Sequence, residues 1–290
     1  MSCIRVVQCC FLLVLLSAVD GPSDARAEKD LRWAETKLPS AGPALAIGGY
    51  SRGCVQGAVA IPSDGTGYQA MRPSRNRFYG HPDLVHFIEN FAKKWGRKKG
   101  QFLLVGDLGQ AVGGPSPSGH ASHQSGLDVD IWFWHPRSAE RRSLSAHARE
   151  SLSARRIVDV KGKRKTKHWR NSVESMLRVA ASAPEVSRIF VNPRIKSFLC
   201  ESKSKNRKYL RKIRPWYGHV DHMHVRLHCP KSSPECEAQK SLPRGDGCKE
   251  LNWWFDEKAQ AARRKSRRKY QAKVGATPTL PDACVAQLRE

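Results

Sequence analysis

The sequence predicts a single α+β domain: a central antiparallel sheet that carries the chemistry, flanking helices and loops, and three disulfides. Three observations predict it. Two separated segments, Leu127 to Phe133 and Met223 to Leu227, alternate apolar and polar residues with the period of a strand. Two other segments carry apolar stripes at helical spacing, each followed by a short apolar strand. Six cysteines remain once an N-terminal export signal is set aside.

That signal comes first in the chain. Arg5 precedes the apolar run Phe11 to Leu16, and a small-residue stop at Ala25-Arg26-Ala27 marks cleavage after Ala27. The run is shorter than the ~20 apolar residues a membrane span needs, and it ends in Asp20, Gly21 and Pro22. Residues 1–27 are therefore read as a signal peptide, with no transmembrane segment after processing. The rest, about 260 residues, is divided into a catalytic body at 28–256 and a basic segment at 257–290.

Residues 28 to about 50, rich in Pro, Gly and Ala, read as an extended lead-in to Cys54. A helix follows at Pro82 to Trp95: Pro82 suits the first helical position, and Leu84, Ile88, Phe91 and Trp95 repeat on one face. Phe102 to Val105 is a strand. A second helix runs near Ser172 to Ala181, striped by Val173, Met176, Leu177 and Ala180, before the strand Arg188 to Val191. These stripes are core faces.

The formal charge is +25 and processing leaves it unchanged, because Arg5 and Arg26 offset Asp20 and Asp24. The cations concentrate in Arg155 to Arg170, Lys203 to Arg214 and Lys258 to Lys273. Such runs are usually solvated, but a chain this basic adheres to polyanions, so an anionic envelope polymer is an expected partner. The mature cysteines are Cys54, Cys200, Cys229, Cys236, Cys248 and Cys284. An even set in an exported chain reads as three disulfides. Six cysteines permit about 15 pairings, among which Cys229 and Cys236, around a short turn, are the easiest to close.

Two segments carry chemistry. From Leu127 onward, Leu127, Val129, Ile131 and Phe133 share one strand face, and Asp128, Asp130 and Trp132 share the other, giving a half-buried strand. The loop before it delivers His120 and His123, and Gly126 lets the backbone turn sharply between loop and strand. In the second segment, Trp216 to His228, Met223, Val225 and Leu227 alternate with His222, His224 and Arg226. His222 and His224, two residues apart on a strand, point the same way. If the two strands pair, their polar faces converge, and two imidazoles with one carboxylate form a nitrogen and oxygen set suited to zinc with the fourth position left to water. A nuclease would more often show a carboxylate-rich magnesium site.

On these residues the chain resembles a known family. His-x6-Asp followed far downstream by His-x-His looks like the zinc peptidase superfamily of lysostaphin, the D-Ala-D-Ala carboxypeptidases and hedgehog. The runs Ser74 to Pro82, Gly119 to Gln124 through Asp130, and His222 to Arg226 are similar to penicillin-insensitive murein endopeptidase. The resemblance implies zinc ligation by His123, Asp130 and His224, with His120 joined to the metal group. It places His222 beside the metal, and either His222 or His219 as the proton-transfer residue. It further implies disulfides Cys54–Cys284, Cys200–Cys248 and Cys229–Cys236, the first tying the basic tail back to the body. The implied activity is periplasmic hydrolysis of the D-alanyl to meso-diaminopimelyl cross-links of peptidoglycan. A D-Ala-D-Ala carboxypeptidase or dipeptidase of the same superfamily is the alternative reading. A homodimer is compatible with the sequence, which leaves the oligomeric state open.

Overall fold

The computed structural model describes residues 32–290 apart from 100–101, 118–119, 137–138, 140–141, 162, 275–278 and 289–290, so the signal segment 1–27 lies outside the described residues. A hairpin of β1 (Leu45–Gly49) and β2 (Arg52–Gln56) opens the body. The lead-in is thus already a strand before residue 50. A seven-stranded sheet forms the centre, built from β3 (Asp64–Gly65), β4 (Tyr68–Ala70), β5 (Leu103–Val105), β6 (Asp128–Trp132), β7 (Val186–Val191), β8 (Ile213–Pro215) and β9 (His222–Leu227). Its order is β8-β7-β9-β6-β5-β4-β3.

The sheet is mixed rather than wholly antiparallel. The middle pairings β7–β9, β9–β6 and β6–β5 are antiparallel, whereas β7–β8 and β4–β5 run parallel. Each parallel pair is joined by a long crossover that contains a helix, which is the connection parallel neighbours need.

Helix α1 (Pro82–Lys99) begins where Pro82 predicts, with Asp83 in its first turn. It runs past Trp95 through Gly96 to Lys99. Two more helices complete the middle of the chain, the short α2 (Ala146–Ser151) and α3 (Ser172–Ala181), the latter with the predicted bounds. Leu84, Phe87, Ile88, Phe91 and Trp95 of α1, with Val173, Met176 and Leu177 of α3, join Val129, Ile131, Ile189, Met223 and Val225 in the main core. Burying one such side chain contributes about 1.5–3 kcal/mol. The apolar face of each alternating strand is therefore spent on the helices, and its polar face is directed to the other side.

That other side is also covered. All five residues of β6 are buried, against the half-buried strand expected from alternation. The reason is tertiary: the 106–127 loop folds over Asp128 and Asp130, and Trp132 enters a small second core with Met71, Leu104, Ala139 and Leu144.

Helix α4 (Pro193–Glu201) follows β7, while α5 (Leu251–Phe255), α6 (Glu257–Val274) and α7 (Asp282–Ala286) close the chain. Disulfides join Cys54 to Cys284, Cys200 to Cys248 and Cys229 to Cys236. The first holds α7 against β2, so the cation-rich α6 is anchored beyond its end. No described helix is long and apolar enough to cross a membrane.

Candidate metal centre

Register decides where the polar groups meet. In the β6–β9 ladder Asp130 stands opposite His224, Asp128 opposite Arg226, and Trp132 opposite His222. Directly opposed side chains on one face lie about 4.5–5.5 Å apart at Cβ. The expected convergence of the two polar faces is observed.

His123 arrives from the loop. Its backbone is left-handed, with φ 70°, a conformation uncommon outside glycine, and two bonds hold it there. The His123 amide donates to Asp128 Oδ2 at 3.0 Å, and His123 Nδ1 donates to the Leu108 carbonyl at 2.7 Å. Since a carbonyl only accepts, Nδ1 carries the hydrogen and Nε2 keeps its lone pair, 3.5 Å from Asp130 Oδ1. The following turn uses Gly126 at φ 70°, where a Cβ would meet the His81 amide at 3.0 Å and the Val55 side chain.

His224 Nδ1 lies 3.2 Å from Asp130 Oδ1, and the His123 and His224 rings are 4.6 Å apart. His123 Nε2, Asp130 Oδ1 and His224 Nε2 are all buried without a well-aligned hydrogen bond, His224 Nε2 lying 3.2 Å from Asp128 Oδ1. A buried polar atom left unpaired costs about 1–3 kcal/mol, so three in one cluster need an explanation. Imidazole nitrogens beside a carboxylate oxygen are the donor set of zinc and related borderline ions, and a bound cation would satisfy them together. The residues fit a metal.

His120 belongs to the same cluster. His120, His123 and Asp130 each offer a ligand atom within 4.8 Å of the others. His120 Nε2 donates to Asp107 Oδ2 at 2.8 Å, which leaves Nδ1 facing Asp130 Oδ2 at 3.6 Å. Burial pushes the Asp130 carboxyl up, but the neighbouring His222 and His123 imidazoles outweigh it and hold the group well below the usual carboxylate range.

The remaining two histidines differ in environment. His222 Nδ1 bonds Asp221 Oδ1 at 2.6 Å, and its Nε2 is 3.5 Å from Asp130 Oδ2. Burial works against its charge, yet Asp130 and Asp221 prevail and raise its pKa to about 9. His219, at φ 49°, donates from Nδ1 to the Tyr217 carbonyl at 2.6 Å. Burial, reinforced by His224 and His222, lowers its pKa to about 3. The His219 ring is 5.0 Å from that of His222 and 5.7 Å from that of His224.

Sequence reading missed the groups that support these. Arg226 grips Asp128 with two hydrogen bonds, Nε to Oδ1 at 2.7 Å and Nη2 to Oδ2 at 2.9 Å. Asp107 receives Arg75 at 2.9 Å and Arg77 at 3.2 Å as well as His120. Arg226 was legible as the third polar residue of its strand; Asp107 sits in a loop with no pattern to mark it. A cavity of about 290 Å³ opens beside the cluster, lined by Arg72, Arg75, Asp107, His120, Asp130 and His222 among others. A larger one of about 690 Å³, lined by Arg188, Lys212 and His228, holds none of the candidate ligands.

Comparison with known proteins agrees in one direction. A family model described as penicillin-insensitive murein endopeptidase matches residues 46–289. A protein of that name from Yersinia enterocolitica is 42% identical over 263 residues, covering 88% of this chain and 90% of its own length. Its namesake from Pectobacterium atrosepticum is 42% identical over 260 residues, covering 88% of each. Another, from Haemophilus influenzae, is 41% identical over 231 residues, with 78% and 79% covered.

Proposed function

The chain belongs to the penicillin-insensitive murein endopeptidase family, and from that premise we propose that it is a zinc-dependent endopeptidase that hydrolyses the D-alanyl to meso-diaminopimelyl cross-links of peptidoglycan. The observation that carries the metal part of this reading is the cluster of buried, unpartnered atoms on His123, Asp130 and His224. These three would hold the ion, with His120 at the edge of the set. A zinc ion there supplies Lewis acidity, polarising the scissile carbonyl and easing the deprotonation of water near neutral pH.

The protein's own groups divide the proton work. His219 is neutral and keeps Nε2 unprotonated, because Nδ1 is committed to the Tyr217 carbonyl. It suits a proton acceptor. His222, whose Nδ1 is hydrogen-bonded to Asp221, suits the donor that protonates the leaving amine. Arg72 and Arg75 on the wall of the adjoining cavity offer positive charge to a carboxylate-bearing peptide stem. No serine or cysteine nucleophile enters this scheme, which agrees with the penicillin insensitivity in the family's name.

In the same reading the signal at 1–27 is removed after Ala27, the protein works in the periplasm, the catalytic body spans 28–256, and the basic segment 257–290 is an accessory. Digestion of isolated peptidoglycan with and without a chelator, followed by mass analysis, tests the proposal. Cross-linked dimers should disappear only when metal is present, and purified dimers should be cut in preference to pentapeptide monomers. Dimer loss that persists in a His224→Ala protein would overturn it, and preference for monomers would transfer the chain to the carboxypeptidase reading.

A further inference from the structure

Every aromatic side chain counted among the exposed large apolar residues of the described chain belongs to one of two short segments. Trp216 and Tyr217 precede β9, Trp253 and Phe255 lie on α5, and each is 41–47% exposed. Scattered exposed apolar residues are ordinary, but a patch of them marks a contact surface.

The segments meet around a single cation. The Arg263 guanidinium, from α6, lies 5.4 Å from the Trp216 ring, 5.6 Å from Tyr217, 5.4 Å from Trp253 and 5.8 Å from Trp254. Trp254 links the two pairs, with centroids 6.1 Å from Trp216, 5.0 Å from Tyr217 and 5.1 Å from Trp253. Phe255 is covered on one side by Arg194 at 4.2 Å. Such cation–π contacts fix the rings while leaving much of each face in water. The inner end is pinned too, since the Trp216 amide donates to the Val191 carbonyl and Asn192 Nδ2 donates to that of Gly218.

The patch leads directly into the metal centre. Phe190 is 5.7 Å from the Trp216 ring on one side and 5.4 Å from His224 on the other. The chemistry of the rings narrows the occupant. The one leucine of these segments, Leu251, is buried, so the exposed apolar area is wholly aromatic. Planar rings with polar edges and a surrounding of arginines match a pyranose, whose C–H face stacks on aromatics while its hydroxyl and acetamide groups bond outward.

Resting on the peptidoglycan reading above, we propose that Trp216, Tyr217, Trp253 and Phe255, held in place by Arg263, form a stacking surface for the amino-sugar backbone of the glycan strand that carries the cleaved stem. A stem of four residues spans about 13–14 Å at ~3.3–3.6 Å per residue, and the two ring-to-ring steps from His224 to Trp216, 5.4 and 5.7 Å, lie within that length. The surface would favour cross-links still attached to polymer over free peptides.

Two substrates and one ligand test this. Wild type, Trp253→Ala and Trp253→Tyr proteins are assayed on a sugar-free cross-linked peptide dimer and on intact sacculi, and a β-1,4-linked N-acetylglucosamine oligomer is titrated against tryptophan fluorescence. Trp253→Ala should raise the KM on sacculi about tenfold more than on the peptide dimer and weaken oligomer binding about tenfold, and Trp253→Tyr should restore most of both. Equal losses on both substrates would overturn the proposal and leave the patch a support for the His219 loop. Wild type that quenches with phosphatidylglycerol vesicles but not with the oligomer would overturn it in favour of a membrane face. A concentration-dependent dimer that Trp253→Ala dissolves, without oligomer binding, would overturn it in favour of a second copy. If wild type binds the oligomer but cuts neither substrate, the endopeptidase reading fails and the sugar surface stands.

Discussion

Asp128 and Asp130 leave the same strand on the same face, two residues and about 7 Å apart, each opposite a polar residue of β9. Asp128 is answered completely: Arg226 binds it through two nitrogens and the His123 amide donates to Oδ2. Asp130 is not, since its Oδ1 is buried with no hydrogen-bond partner and is approached only by histidines. A carboxylate whose lone pairs are all engaged by the protein is a brace, and one whose lone pairs are left open beside imidazoles is a candidate ligand. The brace serves the ligand, because Asp128 also holds the backbone of His123.

The sharpest way to break this contrast is at the open end. His224→Ala should reduce sacculus digestion on the order of 10⁴-fold, equivalent to about 5 kcal/mol of transition-state stabilisation, and leave the purified protein without stoichiometric zinc by elemental analysis. A His224→Ala protein with full metal content would end the distinction between the two carboxylates.

At the answered end the order of effects reverses. Asp128→Ala leaves Arg226 charged and buried, and should cost about 3–5 kcal/mol in denaturant unfolding, with metal affinity reduced only about 10–100-fold. Pairing Asp128→Leu with Arg226→Met should recover much of the stability, since neither charge then remains unpaired. A double variant as unstable as Asp128→Ala would show that packing, and not the charge pair, is what the site supplies.

Between the two stands His222, which faces Asp130 without sharing its ladder position. His222→Asn should lower kcat on the order of 10²-fold with zinc retained. Concomitant metal loss would move His222 into the ligand group.

The smallest expected effect is on acid stability of the metal-free protein. Burial alone would raise the Asp128 carboxyl, but Arg226 and His224 hold it well below the usual range. With the folded pKa below the unfolded value of ~3.9, the unfolded state binds the proton first as pH falls, so stability present above about pH 5 is lost on the way down. Wild type should lose about 1 kcal/mol more than Asp128→Asn between pH 5 and pH 3, measured by urea titration. Parallel curves for the two proteins would indicate that Asp128 is not held low in the fold.

Much of this arrangement was legible residue by residue. The alternation around Asp130 and His224 assigned both to polar faces, because the pleat repeats every two residues regardless of what lies opposite. The stripes of α1 and α3 were equally plain, and α3 has the predicted bounds. The covering of β6 on both faces was not, since alternation reports which side a residue takes and not whether a later loop closes over it. His123 is the intermediate case. Its place in the motif was readable, whereas its free Nε2 depends on a bond from Nδ1 to Leu108, fifteen residues earlier in the chain. Asp107 and Asp221 carried no local signal, because a single carboxylate in a loop is defined only by the histidine it meets.

The amino-acid sequence by itself determined the faces of the strands, the apolar stripes that cover one of them, and an even set of cysteines in a strongly basic chain. Only the tertiary structure decided that β9 pairs with β6 in the register that opposes Asp130 to His224, that the sheet is mixed, and that Arg263 gathers four rings beside the candidate metal centre. The physical reason is one of range. Backbone geometry imposes its period on neighbours along the chain, but a contact between groups many tens of residues apart exists only after burial and loop closure have selected one packing.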